Sequence, residues 1–200
     1  MEKFVQAAAA THLGLRGVNH LALVTDDMKA TMDFYADVLG IRLVHAMKVS
    51  EGLGTGPANR GNPPFERLRH YFFDMGNDES LAFFEMPKGA KAQTDRDGIG
   101  GMQHVSFTTS RSGFDAVRLR MDARGIPYLG PIDILGKRAQ SMYFFDPNKI
   151  RLEVTWHRAG PETPSVIEDM IMTKTSARAE LATLCDDAEW IERHIAHLPD

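Results

Sequence analysis

A short motif occurs twice in this chain and constrains its fold more than any other feature. Residues 17–25 (GVNHLALVT) return as residues 101–109 (GMQHVSFTT), so His20 and His104 hold the same position in the two copies. Each copy alternates apolar and polar residues, which predicts a half-buried β-strand. A duplicated unit of this kind can bury a continuous sheet surface that neither half would cover alone.

A helix is predicted after each of these strands. In the first copy Asp26 or Asp27 would cap the helix, and Gly40 would end it in a left-handed conformation; Gly125 holds the matching position in the second copy. The apolar residues between these signals recur at helical spacing: Met28, Met32, Tyr35 and Leu39, then Phe114, Val117 and Met121.

The rest of each copy is rich in strands. The sequence YFFD at 71–74 returns at 143–146, each time before a turn and a last strand that carries a glutamate, Glu85 or Glu153. The order βαβββ therefore occurs twice. We expect an α+β fold in which paired βαβββ modules form a cup-shaped mixed sheet. The expected boundaries are an N-terminal segment 1–14, a first module 15–88, a linker 89–100, a second module 101–158 and a C-terminal helical extension 159–200.

Two segments fall outside the repeat. Residues 50–68 are rich in Gly, Pro and Asn and longer than most connections, which predicts a lid over a site. In the extension, Ser165 and Glu168 form a capping-box pattern, and we expect two helices there. Their apolar stripe would comprise Leu181, Leu184, Ala188, Ile191 and Ile195.

Composition excludes several classes of function. The single cysteine, Cys185, leaves no internal disulfide and no thiolate metal cluster. A net charge of −4 argues against nucleic-acid binding. No apolar run reaches the roughly 18 residues that cross a bilayer, and the N-terminus lacks a signal-peptide pattern. We therefore expect a cytoplasmic protein with no membrane partner.

Four side chains suggest a metal centre. His20 and His104 lie on the first strand of each copy, and Glu85 and Glu153 on the last. A carboxylate within an apolar strand needs a partner, because an isolated buried charge is costly. If the copies face one another, these side chains converge, and two imidazoles with one or two carboxylates suit Fe, Mn, Ni, Co or Zn. Glu85 could instead orient a ligand histidine.

The repeat with its matched His and Glu residues resembles the vicinal oxygen chelate superfamily over about residues 15–157. This superfamily includes glyoxalase I, methylmalonyl-CoA epimerase, fosfomycin-resistance enzymes and type I extradiol dioxygenases. The resemblance implies His20, His104 and Glu153 as metal ligands. Glu85 holds the fourth position, which is a ligand in glyoxalase-type members and not in dioxygenases.

The stretch from Ser141 to Glu153 (SMYFFDPNKIRLE) looks like the extradiol dioxygenase signature. The resemblance implies that Tyr143 lies beside the substrate and hydrogen-bonds an oxygen bound to the metal. The signature departs at Lys149, where Gly or Pro is expected, and residues 132–136 lack its acid–base histidine. One of three other histidines would then move the proton: His45, His70 or His157.

The favoured function is an Fe(II) extradiol dioxygenase that cleaves a catechol-like ring with O2. A second hypothesis is a glyoxalase- or epimerase-type lyase or isomerase that uses Ni, Co or Zn. It would act on an α-oxygenated carbonyl compound through an enediolate, with Glu85 and Glu153 as ligands or base. A third is a binding protein that sequesters an aromatic drug or metabolite without catalysis. We also expect a homo-oligomer.

Overall fold

The structure is a computed structural model that describes residues 17–50, 67–90, 95–134, 138–157 and 170–200. The chain divides into two compact units, of which one is Gly17–Arg158 and the other contains Ala159–Asp200. The larger unit holds both copies of the repeat. Most of the predicted lid and the Ser165–Glu168 capping box lie outside the described residues.

The first module has the predicted βαβββ order. Its strands form a four-stranded sheet in the order β1-β4-β3-β2, in which β1 and β4 are parallel and the other pairs antiparallel. The elements are β1 (His20–Thr25), α1 (Met28–Phe34) continued by a π-helical segment (Tyr35–Leu39), β2 (Arg42–Lys48), β3 (Arg69–Gly76) and β4 (Glu79–Glu85).

The second module repeats this plan in the order β5-β8-β7-β6, again with the first and last strands parallel. Its elements are β5 (Val105–Thr108), α2 (Arg111–Arg124), β6 (Tyr128–Ile134), β7 (Ala139–Phe145) and β8 (Arg151–His157). The α+β class and the duplicated βαβββ order predicted from the sequence are confirmed.

The sequence signals place the helix ends correctly. Asp27, rather than Asp26, caps α1 by accepting a hydrogen bond from the amide of Ala30 at 3.0 Å. The helical segments end at Gly40 and Gly125, with φ of 75° and 63°. A side chain at either position would be strained in this left-handed conformation, which explains why glycine stands at both.

The two sheets share one hydrophobic core, which lies on the helix side of each. Phe34 of the first module packs against Phe144 of the second with ring centroids 6.3 Å apart. The hydroxyl of Tyr35 donates to Asp146 at 3.2 Å, and Asn148 bonds to Thr25 and to helix α1. The modules therefore meet through their helix sides.

The faces of the sheets opposite this core are called the outer faces below. Strand residues alternate between the two sides, so residues two apart share a face. Phe73, Leu81 and Phe83 lie in the core. Their neighbours Phe72 and Phe84 therefore lie on the outer face of the first module.

The C-terminal unit contains two short helices, α3 (Lys174–Leu181) and α4 (Ala188–Ile195). Ala177, Ile191 and Ile195 form their small apolar cluster. The predicted stripe is thus divided between two helices, and Leu184 is 69% exposed in the connection. Within the described residues, none of the helices has the length and apolar character needed to span a bilayer.

Candidate metal centre

Two of the predicted ligands meet on the outer face of the second module. His104 directly precedes β5 and Glu153 lies on the neighbouring strand β8. The Nε2 atom of His104 is 3.0 Å from Oε2 of Glu153. The side chain of Glu153 is only 7% exposed, whereas that of His104 is 34% exposed. The pair therefore joins a buried carboxylate to an imidazole that solvent can reach.

Hydroxyl groups on three strands hold the Glu153 carboxylate. Thr155 donates to its Oε1 atom at 2.9 Å. The same threonine hydroxyl is 2.7 Å from that of Ser141 on β7 and 3.4 Å from that of Ser106 on β5. This network fixes the carboxylate orientation, as the surroundings of metal-binding carboxylates commonly do.

The network also keeps the carboxylate ionised. Burial alone would raise the pKa of Glu153, but hydrogen bonds from Ser141, Tyr143, Thr155 and Ser106 outweigh it, so the pKa is lowered from its ordinary value. A metal-binding carboxylate must be deprotonated, and Glu153 meets this requirement at neutral pH.

Tyr143 lies opposite Glu153 in the β7–β8 ladder. Burial raises the pKa of Tyr143, and its hydrogen bond to Glu153 raises it further, so the hydroxyl keeps its proton as a donor. Its ring is 6.0 Å from that of His104 in an edge-on arrangement. The guanidinium of Arg151 lies 4.9 Å from the Tyr143 ring centroid and brings a positive charge to the same site.

Both histidines of the repeat are oriented by the residue before them. Asn19 Oδ1 is 2.7 Å from Nδ1 of His20, and Gln103 Oε1 makes the same contact with Nδ1 of His104. A hydrogen bond at Nδ1 makes Nε2 the ring nitrogen that can bind a metal. The sequence analysis missed Asn19 and Gln103, although both stand in the repeated motif that located the histidines.

His20 lies on the outer face of the first module among aromatic rings. Its ring is 5.7 Å from that of Phe72, which also contacts His70 at 4.4 Å and His45 at 5.9 Å. The ring of His70 stacks on Phe84 at 3.7 Å. Two of the candidate proton-transfer residues are therefore grouped with His20 and not with Glu153.

The environment of His70 favours its neutral form. Burial lowers the pKa of His70, and the charges of His20 and His45 lower it further. Within the described part of the chain, its buried Nε2 atom has no hydrogen-bond partner. His157, the third candidate, lies at the end of β8, four residues beyond Glu153 on the same strand.

Glu85 does not hold the position that matches Glu153. Glu153 is in register with Ser106, two residues beyond His104. In the first module the residue two beyond His20 is Ala22, and its register partner is Ala82. Glu85 comes three residues after Ala82, and an odd shift along a strand turns the side chain to the other face.

On that face Glu85 has partners of its own. Its Oε1 atom accepts a hydrogen bond from the backbone amide of Met28 at 2.9 Å, at the start of α1. Its other oxygen forms an ion pair with Arg69. The side chain thus caps a helix on the core side of the sheet, and the role of Glu85 as a fourth ligand or base stays a prediction.

The described residues place the four predicted ligands at separate positions. Among the described residues, no group of three or more His, Cys, Asp or Glu side chains is placed to hold a metal ion. His104 and Glu153 supply two ligands with suitable chemistry, and His20 lies on the other sheet. His104 and Glu153 therefore supply two of the three ligands that a two-histidine, one-carboxylate site needs.

Comparison with known proteins settles the family. The family model described as Glyoxalase/Bleomycin resistance protein/Dioxygenase superfamily matches residues 17–154, most of the chain. The chain belongs to this superfamily. The match spans both βαβββ modules and ends one residue beyond Glu153.

The chain is 39% identical over 74 residues to an iron-dependent extradiol dioxygenase from Rhodococcus jostii (strain RHA1), a match that covers 37% of this chain and 23% of the relative. The chain therefore spans less than a quarter of that relative's length.

Two solved structures share the fold at low identity. A glyoxylase/bleomycin resistance protein/dioxygenase domain from Frankia sp. EAN1pec superposes with a TM-score of 0.57 at 20% identity, covering 74% of this chain and 96% of that one. A glyoxalase/dioxygenase from Nostoc punctiforme gives 0.53 at 21% identity, covering 72% and 92%.

Proposed function

We infer that this protein is a metal-dependent enzyme of the extradiol type, which cleaves a catechol-like ring next to its hydroxyl groups with O2. The observation that carries the proposal is the grouping of His104, Glu153 and Tyr143 on one face. These are the residue types that the dioxygenase signature implies at these positions. The similarity to an iron-dependent extradiol dioxygenase supports the same reaction and favours Fe(II).

The residues of the second outer face suit an anionic aromatic substrate. Tyr143 keeps its proton and can donate a hydrogen bond to a substrate oxygen. Arg151 adds a positive charge beside the Tyr143 ring, which would attract a catecholate. Glu153 stays ionised and does not compete with Tyr143 as a donor.

The glyoxalase-type alternative has less support. It would use Glu85 as a ligand or base, but Glu85 lies on the core side of its sheet, bound to Met28 and Arg69. A two-histidine, one-carboxylate set without Glu85 is typical of non-haem Fe(II) oxygenases.

The test combines metal analysis with oxygen uptake. Protein purified without O2 is loaded with Fe(II) and given a panel of catechols, and O2 consumption is followed with an electrode. We expect catechol-dependent uptake that Glu153→Gln abolishes. Tyr143→Phe should lower kcat by about 10²-fold or more while Fe(II) binding persists, as for loss of a group that acts in the transition state.

The matched control is Glu85→Gln, because it removes the same charge from the other face of the sheet. It should leave both Fe(II) content and O2 uptake near wild type. Activity without O2 on an α-oxygenated carbonyl compound, lost in Glu85→Gln, would instead select the isomerase reaction. An aromatic ligand bound by metal-free protein without turnover would select the binding-protein hypothesis.

A further inference from the structure

A basic cavity lies at one end of the first sheet, where β2 ends and β3 begins. Its volume is about 400 Å³, within the range of about 300–1,000 Å³ that is typical of small-molecule sites. Among the described residues, its lining contains four basic side chains and two acidic ones: Lys48, Arg67, Arg69 and Lys88, with Asp26 and Glu85. The excess of positive charge predicts an anionic ligand.

The strand register places this cavity on the other side of the sheet from the candidate metal ligands. His70 lies on the outer face with His20 around Phe72. Arg69 is the preceding residue on β3, so its side chain points to the core side. Lys48 is in register with Arg69 and shares that side. The cavity is therefore separate from the face that carries His20.

Glu85 holds Arg69 in place at the cavity. One oxygen of Glu85 accepts a hydrogen bond from the amide of Met28 at 2.9 Å, and the other forms the ion pair with Arg69. The backbone of α1 thus fixes the carboxylate, and the carboxylate fixes the guanidinium. A guanidinium carries five N–H donors on three nitrogens, and Glu85 contacts one terminal nitrogen. The half-exposed Arg69 side chain can therefore also bind a ligand.

Lys88 is positioned in a similar way by a second carboxylate. Its Nζ atom is 3.1 Å from Oδ2 of Asp27. The other oxygen of Asp27 accepts the hydrogen bond from the Ala30 amide at the start of α1. Two of the four basic groups are therefore oriented by acids that the helix backbone holds. Such preorganisation reduces the side-chain freedom that is lost when a ligand binds.

Arg67 brings a second guanidinium to the cavity from a strained backbone. Its φ is 64°, a left-handed conformation that favours glycine. Its amide donates to the carbonyl of Val49 at 2.8 Å, and the amide of Val49 donates to the carbonyl of Leu68 at 3.0 Å. Side chains held in such conformations cluster at functional sites. A guanidinium that a ligand needs explains why arginine stands where glycine would be unstrained.

We propose that this cavity binds the phosphate group of a small organic phosphate ester, with Lys48, Arg67 and Arg69 as its main contacts. A phosphate monoester carries a charge of about −1.5 to −2 at pH 7. That charge matches the described lining, in which four basic groups face two acidic ones. Arginine binds two phosphate oxygens at once, and lysine adds a point charge. The cavity also leaves room for the organic part of the ester.

The test is isothermal titration calorimetry on the full-length protein with three anions. Glycerol 3-phosphate represents the ester, inorganic phosphate the headgroup alone, and succinate a dianion without phosphate. We expect glycerol 3-phosphate to bind at least as tightly as inorganic phosphate. Succinate should bind about 10-fold more weakly or worse, because its two carboxylates do not form the compact tetrahedral group that the guanidinium forks hold.

Two substitutions distinguish ligand contacts from structural ones. Lys48→Gln and Arg67→Gly should each weaken the binding of glycerol 3-phosphate by about 10-fold or more, since each removes a hydrogen bond between charged groups. Arg67→Gly also removes the backbone strain, so its unfolding midpoint in urea should stay or rise. A merely structural role of Arg67 would lower that midpoint.

Lys29→Gln is the matched control for Lys48→Gln. It makes the same change in the same module, at an exposed residue of α1 that pairs with Asp33 outside the cavity lining. Its affinity for glycerol 3-phosphate should stay within about twofold of wild type, because exposed ion pairs contribute little.

Three results would overturn the inference. The first is equal affinity in Lys48→Gln, Arg67→Gly and wild type, which would place the phosphate elsewhere, for instance on a metal at the outer faces. The second is tighter binding of succinate than of glycerol 3-phosphate. The third is no binding of either phosphate at about 10 mM. Each would leave the proposed function intact, because the cavity contains neither His104 nor Glu153. Conversely, absence of O2 uptake would leave the phosphate site intact.

Discussion

The contact between the modules can be tested by removing one oxygen atom. The hydroxyl of Tyr35 in the first module donates to Asp146 in the second at 3.2 Å, and both residues are buried. Tyr35→Phe deletes this bond and leaves the ring in place. If the modules meet through their helix sides, the change must destabilise the protein.

The other donors to Asp146 set the size of the effect. The Asp146 carboxylate also accepts hydrogen bonds from the backbone amides of Asn148 at 2.9 Å and Ile150 at 2.8 Å. A further hydrogen bond comes from the Asn148 side chain at 3.0 Å. A hydrogen bond to a charged group contributes about 1.5–3 kcal/mol. Because three donors remain, we expect Tyr35→Phe to lower the free energy of unfolding by about 1.5 kcal/mol.

The assay is equilibrium unfolding in urea followed by circular dichroism. With an m-value of about 2 kcal/mol/M, the midpoint should fall by about 0.7 M. Tyr128→Phe is the matched control, since its hydroxyl donates to Asp122 at 3.0 Å on the exposed surface. That change should stay within about 0.5 kcal/mol of wild type.

The dependence on pH gives a second signature. Burial raises the pKa of Asp146, and the Tyr35 hydrogen bond is one of those that lower it, so its loss should raise the pKa further. A raised carboxyl pKa means that the folded state binds protons more readily than the unfolded state. The loss of unfolding free energy in Tyr35→Phe should therefore be complete at pH 7. It should shrink as the pH falls through the pKa of Asp146 in the folded state. A Tyr35→Phe deficit no larger than that of Tyr128→Phe would refute the helix-side packing.

Three further predictions concern single elements. Lys149 has φ of 67°; Lys149→Gly should relieve that strain and raise the unfolding free energy by about 0.5–1 kcal/mol, measured in urea. Ser110 caps α2 through the amide of Gly113 at 3.1 Å; Ser110→Ala should lower the thermal stability by about 1 kcal/mol, while the exposed Ser112→Ala should not. Ile195 is 1% exposed; Ile195→Ala should cost the C-terminal unit about 2–4 kcal/mol, visible as faster amide exchange in α3 and α4.

The departure at Lys149 has a structural explanation. The signature expects Gly or Pro there, and the residue adopts the left-handed conformation that favours glycine. Its amide still donates to the carbonyl of Asp146 at 3.0 Å, which closes the turn before β8. The departure therefore affects the stability of the turn, and Glu153 still lies beside His104.

Much of the site was predictable from alternation along strands. The repeated motif located His20 and His104, and the signature located Tyr143 and Glu153. Ser141 and Thr155, two residues from Tyr143 and Glu153 along β7 and β8, could have been inferred from the same period of two. The face of Glu85 was not predictable from the YFFD motif, because the tyrosine of that motif packs against the core in the first module and lies on the outer face in the second.

The two turns differ in geometry. The first has Asn77 and Asp78 at φ of 54° and 64°, a tight two-residue connection. The second runs from Asp146 to Lys149, where hydrogen bonds to Asp146 close a longer loop. Each glutamate lies on the same face as the tyrosine of its own YFFD copy. Tyr71 packs against the core whereas Tyr143 lies on the outer face, so Glu85 and Glu153 fall on different faces.

By itself, the amino-acid sequence determined the elements and their order, because hydrophobic period, capping residues and left-handed glycines act over a few neighbouring residues. It also determined that His20 and His104 are equivalent. Only the tertiary structure decided that the modules meet through their helix sides, since this depends on how Tyr35, Asp146 and Asn148 satisfy one another across more than a hundred residues. That packing leaves the two histidines on the outer faces of different sheets.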